Sequence, residues 1–204
     1  MRDRLREITY KFFENPFSGF LIKLGVTPNF VTLTGLLIVL IGSAFIALGL
    51  LFTGSMIVFG GSLLDLIDGT LARKTGKNSS FGALLDSVVD RIEESSVLFA
   101  VFLFSVFNNC QLTGIRCELI SVMVFLALIV SLLVSYMRAR SESLGVECKE
   151  GIMTRPERVV LLTIGIAIFQ WSSLALLLIL ATIIVLGFFT IIQRLLSTYD
   201  KLQN

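Results

Sequence analysis

Four aspartates lie close together between two apolar stretches of the sequence. Asp65 and Asp68 are three residues apart, so they share one face of an α-helix. Asp86 and Asp90 are four residues apart and share a face in the same way. Clustered carboxylate oxygens suit the hard cations Mg²⁺, Mn²⁺ or Ca²⁺ better than zinc. Two divalent ions would balance the four negative charges and stabilise an in-line displacement at phosphorus.

Two other interpretations of the acidic cluster remain open at this level. The aspartates would be tolerated as solvated charges at the membrane interface, or as an ion pathway in a divalent-cation transporter. A transporter would need further acidic residues deep in other helices, and the predicted first, fifth and sixth helices carry none mid-span. Release of a nucleotide product separates an enzyme from a transporter, because a transporter makes none.

The spacing Asp-x2-Asp-Gly-x2-Ala-Arg-x8-Gly-x3-Asp-x3-Asp resembles the signature of the CDP-alcohol phosphatidyltransferases. Every position of this signature is present, at Asp65, Asp68, Gly69, Ala72, Arg73, Gly82, Asp86 and Asp90. The resemblance implies a phosphotransferase in which an alcohol attacks the phosphorus of a CDP-linked lipid and CMP leaves. It also implies two Mg²⁺ or Mn²⁺ ions per site and a homodimer. No nucleic-acid partner is expected.

The same resemblance assigns roles to the signature residues. The predicted metal ligands are Asp65, Asp68, Asp86 and Asp90. The predicted donor-binding residues are Asp68, Gly69, Ala72, Arg73 and Gly82, where the small side chains leave room for the nucleotide. Small residues also favour the packing of membrane helices, which accounts for part of their role. The chain contains no histidine, so Asp90 is predicted to accept the proton of the attacking hydroxyl.

A second set of charged residues lies at the predicted cytoplasmic helix ends. Guanidinium groups that converge are suited to a phosphate, whereas isolated arginines anchor helix ends at the membrane surface. We expect an acceptor that itself carries a phosphate, bound by Arg138, Arg155, Arg158 and Arg194.

Two further segments, 135–142 and 151–158, resemble the prokaryotic phosphatidylinositol phosphate synthases and their archaeal counterparts. In that subgroup, basic residues matching Arg138, Arg155 and Arg194 bind the phosphate of inositol 1-phosphate, although some members have lysine in place of Arg138. The resemblance implies CDP-diacylglycerol or CDP-archaeol as donor. The alternative keeps the chemistry but uses glycerol 3-phosphate as acceptor, as a phosphatidylglycerophosphate synthase does.

The elements that position these residues are predicted to be membrane helices. Hydrophobic residues make up 55% of the 204 residues and the mean hydropathy is +0.89, which is typical of a polytopic membrane protein. We expect an all-α integral membrane protein with an amphipathic interfacial segment at 1–27 and a six-helix domain at 28–204. A tight reversal is predicted at Thr53–Gly54. The predicted spans cover residues 29–51, 55–73, 80–107, 119–141, 157–170 and 172–196.

The distribution of basic residues predicts the orientation in the plasma membrane. Six spans put both termini on one side, and every Lys and Arg except Arg116 falls on that side. Basic residues favour the cytoplasmic side, so the termini and the acidic cluster are expected to face the cytoplasm. Cys110 and Cys117 would then lie outside, as a disulfide or as two free thiols.

Overall fold

The computed structural model describes residues 14–76, 79–107, 117–148 and 150–203, and all regular structure in those residues is helical. The predicted all-α class is confirmed. The described helices are α1 (Asn15–Lys23), α2 (Pro28–Ala47), α3 (Leu51–Thr75), α4 (Ser80–Phe107), α5 (Cys117–Ser143), α6 (Arg155–Ile168) and α7 (Ser173–Gln203).

Proline and glycine mark several helix ends. Pro28 lies in the first turn of α2, after an extended Thr27, as predicted. Gly76 ends α3 in the left-handed conformation, with φ 63°. The reversal predicted at Thr53–Gly54 is wrong, because both residues lie inside α3. The chain turns earlier, at Gly49, whose φ of 87° a residue with a side chain rarely adopts.

Helices α2 to α7 contact one another in a closed ring. α2 packs on α3 and α4, α3 and α7 flank α6, and α5 joins α4 to α7. α2 and α3 pack closely at Gly42 and Gly54, where a Cβ atom on Gly54 would lie 2.7 Å from the Gly42 carbonyl oxygen. The ring brings the C-terminal end of α3, the first turns of α4 and the start of α6 together.

Four of the described helices are long and apolar enough to cross a membrane, namely α2, α3, α5 and α7. Large apolar side chains such as Phe30, Phe125 and Phe188 are exposed on these helices, as expected for surfaces that contact lipid. The remaining two predicted spans are the helices α4 and α6, and neither is among the four that are long and apolar enough to cross a membrane. α4 carries five charged residues within residues 80–94, and the 14 residues of α6 reach only about 21 Å at 1.5 Å per residue.

The predicted amphipathic segment is described only in part, because residues 1–13 lie outside the described structure. Helix α1 belongs to this segment and packs against α3. Phe17 and Phe20 on α1 are largely exposed, in keeping with a helix that lies on lipid. The boundary between residues 27 and 28 stays a prediction.

Candidate active site

The predicted metal-binding aspartates lie together where α3 ends and α4 begins. Asp65 and Asp68 are on the last turns of α3 and are almost fully buried. Asp86 and Asp90 are on the first turns of α4. Both Asp65 and Asp86 are close enough to repel Asp68 electrostatically. The structure therefore brings the two sequence pairs into one acidic cluster.

Helix α2 fixes the position of the α3 carboxylates. The Thr32 hydroxyl donates a hydrogen bond of 2.6 Å to Asp68 Oδ2. Gly35, one turn later, faces Asp65, and a Cβ atom there would lie 3.3 Å from Asp65 Oδ1. Thr32 and Gly35 were not predicted as site residues. Their spacing on α2 gives no signal by itself, because their partners are about 30 positions away in the sequence.

Arg155, at the start of α6, reaches into the acidic cluster. Its Nη2 atom lies 2.8 Å from Asp65 Oδ2 and 2.5 Å from Glu93 Oε2. Its Nη1 atom lies 2.6 Å from Asp90 Oδ1. Glu93 is buried and adds a fifth carboxylate to the cluster, which was not predicted as a site residue. Its position three residues after Asp90 puts it on the same face of α4, which is the signal that would have found it.

The acidic cluster offers the oxygen ligands that a divalent cation prefers, but the carboxylates are not arranged around a common point. Within residues 14–76, 79–107, 117–148 and 150–203, no three His, Cys, Asp or Glu side chains are placed to hold an ion. Asp65 Oδ1 is nevertheless buried with no hydrogen-bond partner. The five carboxylates also exceed the two guanidinium groups paired with them, those of Arg155 and Arg91. Oxygen ligands and excess negative charge fit Mg²⁺ or Mn²⁺.

A cavity of about 220 Å³ opens beside the acidic cluster. All the residues predicted to bind the donor line it. Gly82 is close to Asn29, and a Cβ atom on Gly82 would lie 3.3 Å from Asn29 Oδ1. The full lining comprises Pro28, Asn29, Thr32, Asp68, Gly69, Ala72, Arg73, Ser79, Gly82, Ala83 and Asp86.

A chain of hydrogen bonds connects the cavity to the segment before α1. Arg73 Nη2 donates to the Thr70 hydroxyl at 2.7 Å, and that hydroxyl donates to the carboxylate of Glu14. One turn further along the helices, Lys74 Nζ donates to Ser18 Oγ at 2.8 Å. These contacts connect the end of α3 that carries the arginine predicted to bind the donor phosphates to Glu14 and α1.

The predicted acceptor arginines have different surroundings. Arg155 is in the acidic cluster, whereas Arg158 is buried and makes two bonds to Glu94, of 2.6 and 2.7 Å. Arg194 is buried and donates to the carbonyl oxygens of Glu150 and Val134. Arg138 is exposed and pairs with Glu142.

Arg138 and Arg158 both lie within electrostatic range of Arg194. Three of the four predicted residues thus form one basic region, whereas Arg155, three residues before Arg158 on α6, contacts the aspartates. The binding of an acceptor phosphate by these arginines stays a prediction. The sequence left open whether Cys110 and Cys117 pair, and Cys110 lies outside the described residues.

Comparisons with known proteins agree on one family. The family model of CDP-alcohol phosphatidyltransferase matches residues 25–193. An archaetidylinositol phosphate synthase of Methanothermobacter thermautotrophicus is 34% identical over 185 residues, which cover 89% of this chain and 87% of the relative.

Two solved structures of phosphatidylinositol phosphate synthase from Mycobacterium tuberculosis resemble this chain, each with 28% identity. The structure with CDP-DAG bound has a TM-score of 0.80 and matches over 92% of this chain and 94% of that chain. The structure in complex with manganese and citrate has a TM-score of 0.81, with 92% and 89% covered.

Proposed function

This chain belongs to the CDP-alcohol phosphatidyltransferase family, and we propose that it transfers a phosphatidyl or archaetidyl group to inositol 1-phosphate in phospholipid biosynthesis. The donor is CDP-diacylglycerol or CDP-archaeol, and the nucleotide product is CMP. The observation that carries this proposal is the cavity beside the acidic cluster, which Asp68, Arg73 and Asp86 line together. The similarity to two inositol phosphate synthases supports the choice of acceptor.

The donor nucleotide occupies the cavity of about 220 Å³. Gly69, Ala72 and Gly82 leave space at its wall, because each lacks a side chain larger than a methyl group. Arg73 binds the donor phosphates, and its bond to Thr70 orients the guanidinium. The lipid chains of the donor stay in the bilayer, so the donor must enter the cavity laterally from the membrane.

Asp65, Asp68, Asp86 and Asp90 would hold two Mg²⁺ or Mn²⁺ ions. Bound there, the ions would neutralise the diphosphate and the charge that develops on the leaving phosphate. Thr32 orients Asp68 for this role through their 2.6 Å hydrogen bond.

The acceptor hydroxyl attacks the phosphorus attached to the lipid, and the bond from that phosphorus to the CMP oxygen breaks. Asp90 accepts the hydroxyl proton, as the chain offers no histidine for the task. The phosphate of the acceptor binds to Arg138, Arg155, Arg158 and Arg194.

We further propose that the protein acts as a homodimer in the plasma membrane, with six membrane helices and with both termini and the site on the cytoplasmic side. Residues 1–27 lie along the inner surface. The asymmetry of Lys and Arg supports this orientation.

An acceptor competition tests the proposed reaction. Purified protein in lipid receives CDP-diacylglycerol or CDP-archaeol, Mg²⁺, and one of inositol 1-phosphate, free inositol or glycerol 3-phosphate, and CMP release is measured. We expect CMP with inositol 1-phosphate only. Release with glycerol 3-phosphate alone would replace the acceptor and keep the chemistry. No CMP with any acceptor and either donor would contradict the proposed function.

A further inference from the structure

Arg155 holds a position in the acidic cluster that a divalent cation would also favour. Its guanidinium contacts Asp65 and Asp90 at 2.8 and 2.6 Å. Both aspartates belong to the predicted metal ligands. A guanidinium and a divalent ion at the same carboxylate oxygens repel each other strongly in a partly buried site. The two cations therefore compete for these oxygens.

The contacts of Arg155 differ from those of its neighbour Arg158. Arg158 uses Nε, Nη1 and Nη2 in hydrogen bonds to Glu94 and to the Met153 carbonyl oxygen, and its side chain is 2% exposed. Arg155 Nε is buried and has no hydrogen-bond partner among the described residues, and the side chain is 21% exposed. The hydrogen bonds of Arg158 thus fix its guanidinium in place. The guanidinium of Arg155 leaves one nitrogen without a hydrogen bond, and its side chain is partly exposed to solvent.

Glu93 is the carboxylate that keeps Arg155 nearby. It is 2% exposed and bonds Arg155 Nη2 at 2.5 Å. An ionised carboxylate at such depth needs a counter-charge, and the neighbouring Arg158 is already committed to Glu94. Glu93 is not part of the four-aspartate signature, so it remains available to Arg155 when the aspartates bind ions.

We propose that Arg155 is a displaceable counter-cation of the acidic cluster and that Glu93 is its positioning residue. A divalent ion that takes Asp65 and Asp90 releases the guanidinium from both, and Glu93 retains it at the edge of the basic region. There it is available to an acceptor phosphate. This inference rests on the proposed function, from which it takes the metal site and a phosphate-bearing acceptor.

The competition predicts a coupling between two binding events. An ion bound at Asp65 and Asp90 frees the Arg155 guanidinium, which can then bind a phosphate. Occupancy of the metal site therefore raises the affinity of the protein for phosphate before any donor binds. By thermodynamic linkage, phosphate must raise the affinity for the ion by the same factor.

The first experiment measures Mn²⁺ binding to the full chain in detergent by titration, with thermal unfolding of the metal-free protein alongside. Arg155→Gln removes the competing charge, so we expect Mn²⁺ to bind about fivefold or more tightly than to the unsubstituted protein. The metal-free variant should unfold at a lower temperature, because its carboxylates lose their counter-charge. Lys201→Gln, which removes an exposed cation paired with Glu150, is the matched control and should change neither value.

Arg155→Lys covers the case in which Arg155→Gln does not fold without metal. Lysine keeps the charge but reaches fewer carboxylates at once, so Mn²⁺ should bind more tightly than to the unsubstituted protein and the metal-free variant should remain folded. Equal or weaker Mn²⁺ binding in these variants would overturn the proposal.

The second experiment measures binding of inorganic phosphate and of inositol 1-phosphate by calorimetry, in Mn²⁺ and in chelator. The unsubstituted protein should bind both more tightly in Mn²⁺. Glu93→Gln keeps the shape of the side chain but holds Arg155 less firmly, so the gain caused by Mn²⁺ should shrink. An undiminished gain in Glu93→Gln would overturn the role of Glu93. Neither experiment uses CMP release, so a different acceptor would change the activity assay and leave the Mn²⁺ results intact.

Discussion

Arg155 Nη1 lies 2.6 Å from Asp90 Oδ1, across the gap between α6 and α4. This contact joins a residue predicted to bind the acceptor phosphate to the residue predicted to deprotonate the acceptor hydroxyl. Both groups act on the same substrate in the proposed reaction, so their proximity is consistent with an acceptor site directly beside the acidic cluster.

Replacing Asp90 by asparagine tests the general base. Asparagine accepts no proton, so we expect the rate of CMP release to fall about 100-fold to 10,000-fold, the usual range for such a group. Binding of the CDP-lipid donor should change less than turnover does, since Asp90 does not line the donor cavity and the three other aspartates still bind the ions. Turnover measured at saturating donor and acceptor checks this prediction. A rate equal to that of the unsubstituted protein would exclude Asp90 as the base.

The hydrogen bond from Thr32 to Asp68 predicts an effect on metal affinity. Thr32→Val removes the donor hydroxyl at nearly constant volume and should weaken Mn²⁺ binding by about 10-fold to 100-fold, as loss of a ligand's supporting partner does. Thr32→Ser keeps the hydroxyl and serves as the control. The same titration on Asp68→Asn gives the effect of losing the ligand itself. Equal Mn²⁺ affinity for the valine and serine variants would contradict the role assigned to Thr32.

The hydrogen bonds from Arg73 through Thr70 to Glu14 predict a specific loss of donor affinity. Thr70→Val breaks both bonds, which leaves Arg73 free to leave the cavity wall. We expect the KM for the CDP-lipid to rise about tenfold or more, the value of one hydrogen bond to a charged group. The KM for the acceptor should stay constant. Thr70→Ser, which keeps the hydroxyl, is the control, and steady-state kinetics in vesicles provide the measurement.

The buried pair of Arg158 and Glu94 predicts a large effect on stability. Both side chains are buried, so removal of one leaves an uncompensated charge and costs about 3–5 kcal/mol. Arg158→Met and Glu94→Met should each lower the free energy of unfolding in detergent by that amount. The double variant Arg158→Met/Glu94→Met removes both charges and should recover most of the loss. A double variant as unstable as the sum of the two would show that the pair does not act as a unit.

The close approach of α2 and α3 predicts a strict requirement for glycine at position 54. A Cβ atom there would lie 2.7 Å from the Gly42 carbonyl oxygen and from Ile46 Cγ1, so the helices must move apart. We expect Gly54→Ala to destabilise the protein by about 1–3 kcal/mol. Gly60→Ala is a matched control on the same helix, because a Cβ atom on Gly60 meets nothing within 4 Å. Thermal unfolding of the two variants compares them directly.

Local spacing was enough to predict the helices and the acidic pairs. Asp65 with Asp68, and Asp86 with Asp90, share a face because an α-helix repeats every 3.6 residues, and their spacing also carries the resemblance to the family. Long apolar runs also located the four helices that are long and apolar enough to cross a membrane. The reversal between α2 and α3 was misplaced because glycine favours both turns and close helix contacts. In the sequence Gly49 and Gly54 look alike, and only packing against Gly42 distinguishes them.

The partner of each charged side chain was decided by the tertiary structure. Arg155 and Asp65 are 90 residues apart, and Thr32 and Asp68 are 36 apart, so no local pattern relates them. The sequence indicated that Arg138, Arg155, Arg158 and Arg194 carry positive charge near the same membrane surface. Packing of α6 between α3 and α7 puts Arg155 among the aspartates and buries Arg158 against Glu94. A buried charge must find an opposite charge, and which one it finds depends on how the helices pack.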